Sequence, residues 1–186
     1  MARAASDAAA VCLSGSLPPG SAPGDYGALV RTLRVAGRPI WIDTSGAALA
    51  AAIEAGGASI KVNADEAAAL VGARLAGPTR RWRPRAAAPH RRGGGADPGW
   101  RRRSAGQQQG SWHAQPPAIR VVSSVGSGDA FLAALVVALV RGQAAPAALC
   151  QAVAAGAANA LSVGGGQIDT AIYQQLLAGS VCERLD

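Results

Sequence analysis

The chain has 186 residues, of which 49% are hydrophobic, so it is long enough for one domain with a sizeable core. Its formal net charge of +7 comes from one stretch, because ten of the 18 basic residues are arginines that fall between Arg74 and Arg103, beside a single acid, Asp97. The remainder of the chain is slightly acidic. This distribution excludes a protein that is basic throughout.

The composition and the cysteine pattern favour a cytoplasmic protein with no membrane segment. No apolar run is long enough, without glycine or charge, to be a membrane span, and residues 1–13 have Asp7 within an alanine-rich tract that makes a poor secretory signal. The three cysteines, Cys12, Cys150 and Cys182, have neither metal-ligand spacing nor paired spacing. We therefore expect reduced thiols in a cytoplasmic protein.

The first part of the chain alternates between strand and helix patterns. Residues 8–13 are a short apolar run that leads into a Pro/Gly turn, which predicts a strand. Residues 25–36 carry apolar side chains at helical spacing, with Asp25 as the expected N-cap. A buried strand is expected at Ile40–Ile42 and a helix at Leu49–Ala55.

A third strand and a third helix follow. "ASIKVN", residues 58–63, predicts a strand, and "ADEAAALVG", residues 64–72, predicts a helix with acids in its first turn and Gly72 at its end. Strand–helix alternation with short links indicates a mostly parallel α/β sheet, in which ligands bind beyond the carboxyl ends of the strands. Polar residues collect at those strand ends: Ser14, Ser16, Asp43, Thr44, Ser45, Lys61 and Asn63.

The regular pattern stops at about residue 76 and resumes after residue 109. The segment between is rich in Arg, Pro and Gly and has neither helical nor strand periodicity, so we expect it to be irregular. After it we expect a strand near Ile119–Val122, followed by helices at residues 130–141, 145–161 and 170–177.

Between that strand and the first of these helices lies "VGSGD", residues 125–129, which we call the glycine loop. Gly126 and Gly128 permit positive φ and close approach, so the backbone N–H groups at a helix start can converge on an anion. Asp129 is suited to take a proton from a hydroxyl that attacks a phosphoryl group held by the same amides. The alternative is that Asp129 is an ordinary N-cap, which stabilises a helix by about 1 kcal/mol.

A set of ordered motifs resembles one family. "SSVGSGDAFLAALV" resembles the C-terminal signature of the ribokinase-like, PfkB-type carbohydrate kinases, whose loop normally reads T-V-G-A-G-D. "SGSLPPG", "WIDTSGAAL" and "IKVNADEAAALVG" resemble segments of the phosphofructokinase and tagatose-6-phosphate kinase branch, with Val62 where that branch usually has proline. "AVAAGAANAL" is similar to the helix that flanks the nucleotide base in these enzymes. In "WIDTSGAAL", Asp43 is expected to order its own loop.

The resemblance implies an α/β, ribokinase-like three-layer fold with a mostly parallel sheet, of which this chain has the C-terminal half. Residues 1–75 would be the central part of the kinase domain, residues 76–109 a basic irregular segment, and residues 110–186 the C-terminal part with the glycine loop. Family members usually carry a long segment before the "SGSLPPG" strand, which supplies the first strands, the sugar-hydroxyl ligands and a lid. We expect the chain to lack that segment and to be a poor catalyst without it.

The resemblance also implies roles at the phosphoryl-transfer centre. Asp129 would be the base that deprotonates the sugar hydroxyl. Gly126, Ser127 and Gly128 would form the anion hole for the transferred phosphoryl group. Lys61 would lie near the nucleotide phosphates.

The remaining implied roles concern magnesium, the nucleotide and the sugar phosphate. Asn63 and Glu66 would hold the Mg²⁺–phosphate network, largely through water. Asn159 would lie near the adenine or ribose of ATP. Ser14 and Ser16 would lie by the sugar-phosphate end.

Each of these residues also has a structural interpretation. Asn63 and Glu66 have the spacing of a capping box, in which an N-cap asparagine and a glutamate three residues later satisfy each other's backbone N–H groups. Lys61 at a strand end could be a solvated charge, and Ser14 and Ser16 could be turn formers.

The activity implied is ATP-dependent phosphorylation of a sugar phosphate with Mg²⁺, most like that of 1-phosphofructokinase, which converts fructose 1-phosphate to fructose 1,6-bisphosphate. A tagatose-6-phosphate or 6-phosphofructo kinase is the alternative within the class. A non-catalytic remnant that binds nucleotide weakly is a further alternative. The resemblance also implies a homodimer for the full-length family, whose members commonly dimerise through the lid, so the oligomeric state of this chain stays open.

The basic segment, residues 76–109, has two interpretations. It could be a shifted reading frame, since GC-rich codons read out of frame yield Arg, Pro, Gly, Ala and Trp. Alternatively, its arginines with Trp82 and Trp100 could bind RNA or single-stranded DNA through phosphate contacts and stacking. The first interpretation is favoured, because the segment contains no recognised nucleic-acid-binding module.

Overall fold

A computed structural model describes Ala5, residues 7–71 and residues 112–185. The chain divides into two compact units, Met1–Pro98 and Gly99–Asp186, which we call the N-terminal and C-terminal units. Gly72 and the basic segment 76–109 lie outside the described residues, so the expectations for them stay predictions. Among the described residues, no helix has both the length and the apolar character that a membrane crossing requires.

The described part of the N-terminal unit is a parallel sheet with helices between its strands. The strands are β1 (Val11–Ser14), β2 (Ile40–Asp43) and β3 (Ser59–Ile60), and the helices are α1 (Pro23–Arg34), α2 (Gly46–Ala55) and α3 (Ala64–Val71). The sheet has the order β1-β2-β3, and Val11 of β1 pairs with Ile40 of β2, as Trp41 of β2 does with Ser59 of β3. The predicted alternation of strand and helix is therefore confirmed.

The start of α1 differs from the prediction. Its N-cap is Ala22 rather than Asp25, because Pro23 occupies the first turn, where its missing N–H and fixed φ are tolerated. Asp25 lies within the first turn, and its carboxylate accepts a hydrogen bond of 2.9 Å from the Ala22 N–H. Asp25 therefore still satisfies a backbone donor at the helix start, but from the third helical position.

The core of this unit forms where α1 and α2 pack on β2 and on each other. Val30 and Ile42 are 0% exposed, and Leu49 is 1% exposed. The two helices approach closely at Gly27, where an added Cβ would lie 2.8 Å from the Ala51 carbonyl oxygen. Gly27 thus permits a contact that a side chain would obstruct.

Gly27→Ala is expected to destabilise the protein by about 1–3 kcal/mol, because the new methyl group overlaps a backbone atom of α2. Gly24→Ala is the matched control on the same helix, since an added Cβ there meets nothing within 4 Å. Removing this helical glycine should leave stability unchanged or raise it by up to about 1 kcal/mol. Urea unfolding of both variants measures the difference, and equal shifts would contradict the close contact.

The described part of the C-terminal unit consists of three helices and an antiparallel strand pair. The elements are β4 (Trp112–Gln115), α4 (Ser127–Val140), α5 (Ala145–Ala160), α6 (Thr170–Ala178) and β5 (Val181–Arg184). Helix α5 contacts α4, α6 and both strands, and it is buried along most of its length. The small residues of α5 allow this, because an added Cβ at Gly156 would lie 3.1 Å from the Ser127 carbonyl oxygen of α4.

The prediction of a strand at Ile119–Val122 is wrong. The strand lies earlier, at β4, and pairs with β5, which the sequence did not suggest. The predicted segment instead bonds to the end of α5, where Val122 N–H donates to the Ala160 carbonyl oxygen at 2.8 Å. The segment Ile119–Val122 therefore leads into the glycine loop by contact with a helix end rather than with a neighbouring strand.

Candidate active site

The glycine loop adopts a left-handed turn that starts α4. Gly126 is the N-cap of α4 and has φ of 76°. An added Cβ at Gly126 would lie 2.9 Å from the Cα of Gly165, in the turn that follows α5. Both the backbone conformation and this packing require glycine at position 126.

The loop leaves two backbone donors at the N-terminus of α4. Ser127 N–H donates to the Ser124 carbonyl oxygen at 3.2 Å, so one amide of the predicted anion hole is already used. Within the described parts of the chain, the N–H groups of Gly126 and Gly128 have no protein acceptor. Because the helix dipole adds positive potential at this end, these two amides suit an anion.

Asp129 lies in the first turn of α4 and its side chain is exposed. The N-cap interpretation of Asp129 is wrong, because that position belongs to Gly126. The helix begins at Ser127, three residues earlier than predicted, and this places Asp129 inside it. The carboxylate therefore belongs to the same helix end as the two amide donors.

Asn159 is 0% exposed and holds the glycine loop in place. Its side-chain N–H group donates to the Val125 carbonyl oxygen at 2.7 Å and to the Ser127 hydroxyl at 3.2 Å. Its side-chain oxygen accepts a hydrogen bond of 2.7 Å from Gly166 N–H. Asn159 thus joins the end of α5, the start of α4 and the turn after α5. The expectation that it lies near the adenine or ribose stays a prediction.

Three of the polar side chains predicted at the strand ends of the N-terminal unit, those of Asp43, Thr44 and Lys61, make contacts with neighbouring segments. Lys61 and Asp43 form an ion pair of 2.7 Å with side chains 20% and 13% exposed, so Lys61 is not a solvated charge. The expectation that Asp43 orders its own loop stays a prediction. Thr44 donates to the Gly15 carbonyl oxygen at 2.9 Å. Burial raises the pKa of the neighbouring Tyr26 phenol, although its hydrogen bond with Thr44 acts in the opposite direction.

Asn63 and Glu66 form the capping box that their spacing allowed. Asn63 N–H donates to the Glu66 carboxylate at 2.8 Å, and Glu66 N–H donates to the Asn63 side-chain oxygen at 2.8 Å. The bond to Asn63 uses one oxygen of the Glu66 carboxylate, Oε2, and the other oxygen can still accept a hydrogen bond from a metal-bound water. The residues therefore fit the indirect Mg²⁺ role, which stays a prediction.

Ser14 and Ser16 are exposed at and just beyond the end of β1. Their predicted place at the sugar-phosphate end stays a prediction. Sequence reasoning gave Asn159 a nucleotide role and missed its contacts with the loop. An amide side chain within an alanine-rich helix was the available signal, because a buried polar side chain needs hydrogen-bond partners.

Comparison with known proteins agrees with this description. The model of the pfkB family of carbohydrate kinases matches residues 2–171. Among solved structures, the chain is similar to phosphofructokinase-2 from Escherichia coli in complex with potassium, at 25% identity and a TM-score of 0.68, over 92% of this chain and 57% of that chain. No curated protein sequence matches the chain.

Two further solved structures have the same fold. One is phosphofructokinase-2 from Escherichia coli in complex with substrates and products, at 23% identity and a TM-score of 0.70, over 95% of this chain and 60% of that chain. The other is a Thermotoga maritima protein described as "Possible 1-phosphofructokinase", at 18% identity and a TM-score of 0.60, over 100% of this chain and 60% of that chain.

The chain spans less than two thirds of the length of these structures. The predicted α/β, ribokinase-like fold with a parallel sheet is confirmed by the parallel strands of the N-terminal unit and by these similarities. The family model covers well over half of the residues, from the first strand to the start of α6. The chain therefore belongs to the pfkB family of carbohydrate kinases.

Proposed function

We propose that the chain has the phosphoryl-transfer site of an ATP-dependent sugar-phosphate kinase. The observation that carries this proposal is the arrangement at the start of α4, where the exposed Asp129 shares a helix end with the backbone donors of Gly126 and Gly128. A base beside an anion-binding helix end is what transfer of a phosphoryl group to a hydroxyl requires. Membership of the family supports a carbohydrate as the acceptor.

In the proposed reaction, the carboxylate of Asp129 accepts the proton of the sugar hydroxyl. The hydroxyl oxygen then forms a bond to the γ-phosphorus of ATP as the bond to the ADP oxygen breaks. The Gly126 and Gly128 amides donate hydrogen bonds to oxygens of the transferred group, where negative charge is spread in the transition state. The chain therefore contributes positioning, proton acceptance and charge stabilisation.

The other site residues have proposed roles in binding. Bound Mg²⁺ would neutralise charge on the phosphates, and Asn63 and Glu66 would hold its water ligands. The ammonium of Lys61 would lie near the nucleotide phosphates, with the Asp43 carboxylate fixing its position at 2.7 Å. The hydroxyls of Ser14 and Ser16 would bind the sugar phosphate.

Fructose 1-phosphate is the proposed acceptor, and the product is fructose 1,6-bisphosphate. The motifs of the N-terminal unit, which resemble the phosphofructokinase and tagatose-6-phosphate kinase branch, support this choice. Similarity to phosphofructokinase-2 and to the Thermotoga maritima protein supports the same branch. Tagatose 6-phosphate and fructose 6-phosphate are the alternative acceptors.

The test is to incubate the full chain with ATP, Mg²⁺ and each of the three sugar phosphates in turn, and to measure both ADP and sugar bisphosphate. We expect bisphosphate formation, with the highest kcat/KM for fructose 1-phosphate. A higher kcat/KM for another acceptor would overturn the choice of sugar only. If no acceptor yields bisphosphate, the kinase proposal fails, and calorimetric binding of ATP would then favour the non-catalytic alternative.

A further inference from the structure

The hydrogen bonds of the buried Asn159 side chain determine which way its amide faces. The Val125 carbonyl oxygen can only accept, so it is the Nδ2 group of Asn159 that donates to it, at 2.7 Å. The Gly166 N–H can only donate, so the Asn159 side-chain oxygen accepts from it, at 2.7 Å. The second Nδ2 hydrogen bonds to the Ser127 hydroxyl at 3.2 Å. The amide is therefore held in one orientation by partners on three sides.

One of these bonds fixes the peptide group that carries the Gly126 amide. The Val125 carbonyl and the Gly126 N–H belong to the same planar peptide group, which is trans, as are all peptide bonds among the described residues. In a trans peptide group the C=O and N–H bonds point in opposite directions. Because Asn159 holds the carbonyl, the Gly126 N–H points away from the Asn159 side chain, to where the described residues provide no acceptor.

The glycine at position 126 makes this bond necessary. Rotation about ψ of Val125 and φ of Gly126 turns the peptide group between them over, and a glycine permits both orientations because it has no Cβ. In the observed orientation Gly126 has φ of 76°. Without a donor for the Val125 carbonyl, the peptide group is free to turn, and the Gly126 N–H then leaves the start of α4.

We propose that Asn159 is a positioning residue for phosphoryl transfer, which aims the Gly126 N–H at the transferred group by holding the Val125 carbonyl. This inference rests on the proposed function, because it requires an anion at the start of α4. The Asn159 side chain is 0% exposed and both of its N–H groups are bonded within the protein, so it acts through the glycine loop.

The kinetic effect distinguishes this role from contact with the nucleotide. A Gly126 N–H that points elsewhere no longer stabilises the charge of the transferred group in the transition state. Loss of Asn159 should therefore lower kcat by about 100-fold, the lower end of what removing one such donor costs. The KM for ATP should stay close to that of the unmodified chain. Contact of Asn159 with the adenine or ribose would instead raise the KM for ATP.

Two variants of Asn159 carry the test. Asn159→Leu has a similar volume and loses all three bonds of the amide. Asn159→Asp has the same shape, but it places a carboxylate oxygen against the Val125 carbonyl oxygen, so the peptide group should turn. A mildly alkaline buffer keeps the new carboxyl group ionised, because burial raises the pKa of such a group. If Asn159→Leu fails to fold, Asn159→Asp still decides the outcome.

Ser162→Ala is the matched control. The Ser162 hydroxyl bonds to the Gln167 carbonyl oxygen at 2.7 Å and to the backbone carbonyl oxygen of Asn159 at 3.1 Å. Its removal therefore weakens the same turn after α5, while the Asn159 side chain keeps its bonds to the glycine loop. We expect kcat to stay close to that of the unmodified chain, although stability falls.

The first readout needs no turnover. Inorganic phosphate is titrated into the ¹⁵N-labelled full chain, and the Gly126 amide signal is followed by NMR. We expect phosphate to shift this signal in the unmodified chain and in Ser162→Ala, and to bind more weakly, with a smaller shift, in both Asn159 variants. The second readout is kcat and the KM for ATP, measured with the sugar phosphate that the unmodified chain phosphorylates.

The outcomes separate this inference from the kinase proposal. A kcat loss in Ser162→Ala as large as in the Asn159 variants, or a higher KM for ATP in place of a lower kcat, would overturn the positioning role and leave the kinase proposal standing. If the unmodified chain forms no bisphosphate, the kinase proposal fails, and unchanged phosphate binding by a folded Asn159 variant would overturn the positioning role as well. If phosphate leaves the Gly126 signal of the unmodified chain unchanged, the anion site and the role of Asn159 both fail.

Discussion

Asp129→Asn is expected to lower the rate of sugar-bisphosphate formation by at least about 100-fold, the lower end of what a general base contributes. Asparagine keeps the size of the side chain and its place at the start of α4, but its amide cannot accept the proton of the sugar hydroxyl. The loss should fall mainly on kcat, because the variant keeps the Gly126 and Gly128 amides that we propose bind the phosphoryl group. The measurement is initial-rate kinetics at saturating ATP and Mg²⁺.

Asp65→Asn is the matched control for this prediction. Asp65 is also an exposed aspartate in the first turn of a helix, α3, and the substitution makes the same change in charge. It should leave kcat nearly unchanged, and each variant should lose at most about 1 kcal/mol of stability from the helix dipole. Equal turnover by Asp129→Asn and the unmodified chain would remove Asp129 from the mechanism.

Local patterns were enough to predict the N-terminal unit. β2 is a short apolar run between turn signals, and α1 has Tyr26, Val30 and Leu33 buried on one face, as their helical spacing indicated. The helix ends were less accurate, since Pro23 starts α1 before Asp25 and Gly46 starts α2 before Leu49. Patterns of hydrophobicity locate an element well, but its ends depend on caps and turns.

The C-terminal unit was less predictable, because its contacts join residues that are distant in the sequence. β4 contains His113 and Gln115, so it has little apolar pattern, and it is a strand because it pairs with β5. Ile119–Val122 has a strand-like composition but bonds to the end of α5. Local composition could not distinguish these two outcomes.

In the candidate site too, the sequence predicted the features that depend on near neighbours and missed the contacts between distant residues. Glycine spacing and the following apolar helix were sufficient to place Asp129 at a helix start. The capping box of Asn63 and Glu66 was also visible, because it is a contact between near neighbours. By contrast, the ion pair of Lys61 with Asp43 crosses between strands, and nothing in the local sequence indicates it.

Asn159→Leu is expected to destabilise the C-terminal unit by about 2–4 kcal/mol, the sum expected from lost hydrogen bonds and polar groups left without partners. Leucine has a similar volume but no polar atom, so the Val125 carbonyl and the Gly166 N–H both lose the partner that Asn159 provides. Urea unfolding measures the stability. Hydrogen exchange at Gly166 gives the local effect, and this amide should exchange faster in the variant than in the unmodified chain.

Ser127→Ala is the control for Asn159→Leu. It distinguishes the bonds by which Asn159 holds the glycine loop to the turn after α5 from the general loss of stability caused by changing a buried residue. It removes only the 3.2 Å bond between the Asn159 amide and the Ser127 hydroxyl, while both bonds to the backbone remain. We expect a loss of at most about 1 kcal/mol and no faster exchange at Gly166. If both variants lose the same stability, or if Gly166 exchanges at the same rate in all three proteins, Asn159 does not hold the glycine loop to the turn after α5. Faster exchange at Gly166 only in Asn159→Leu is what the geometry requires, because the Asn159 side chain bonds both to the glycine loop and to the turn after α5.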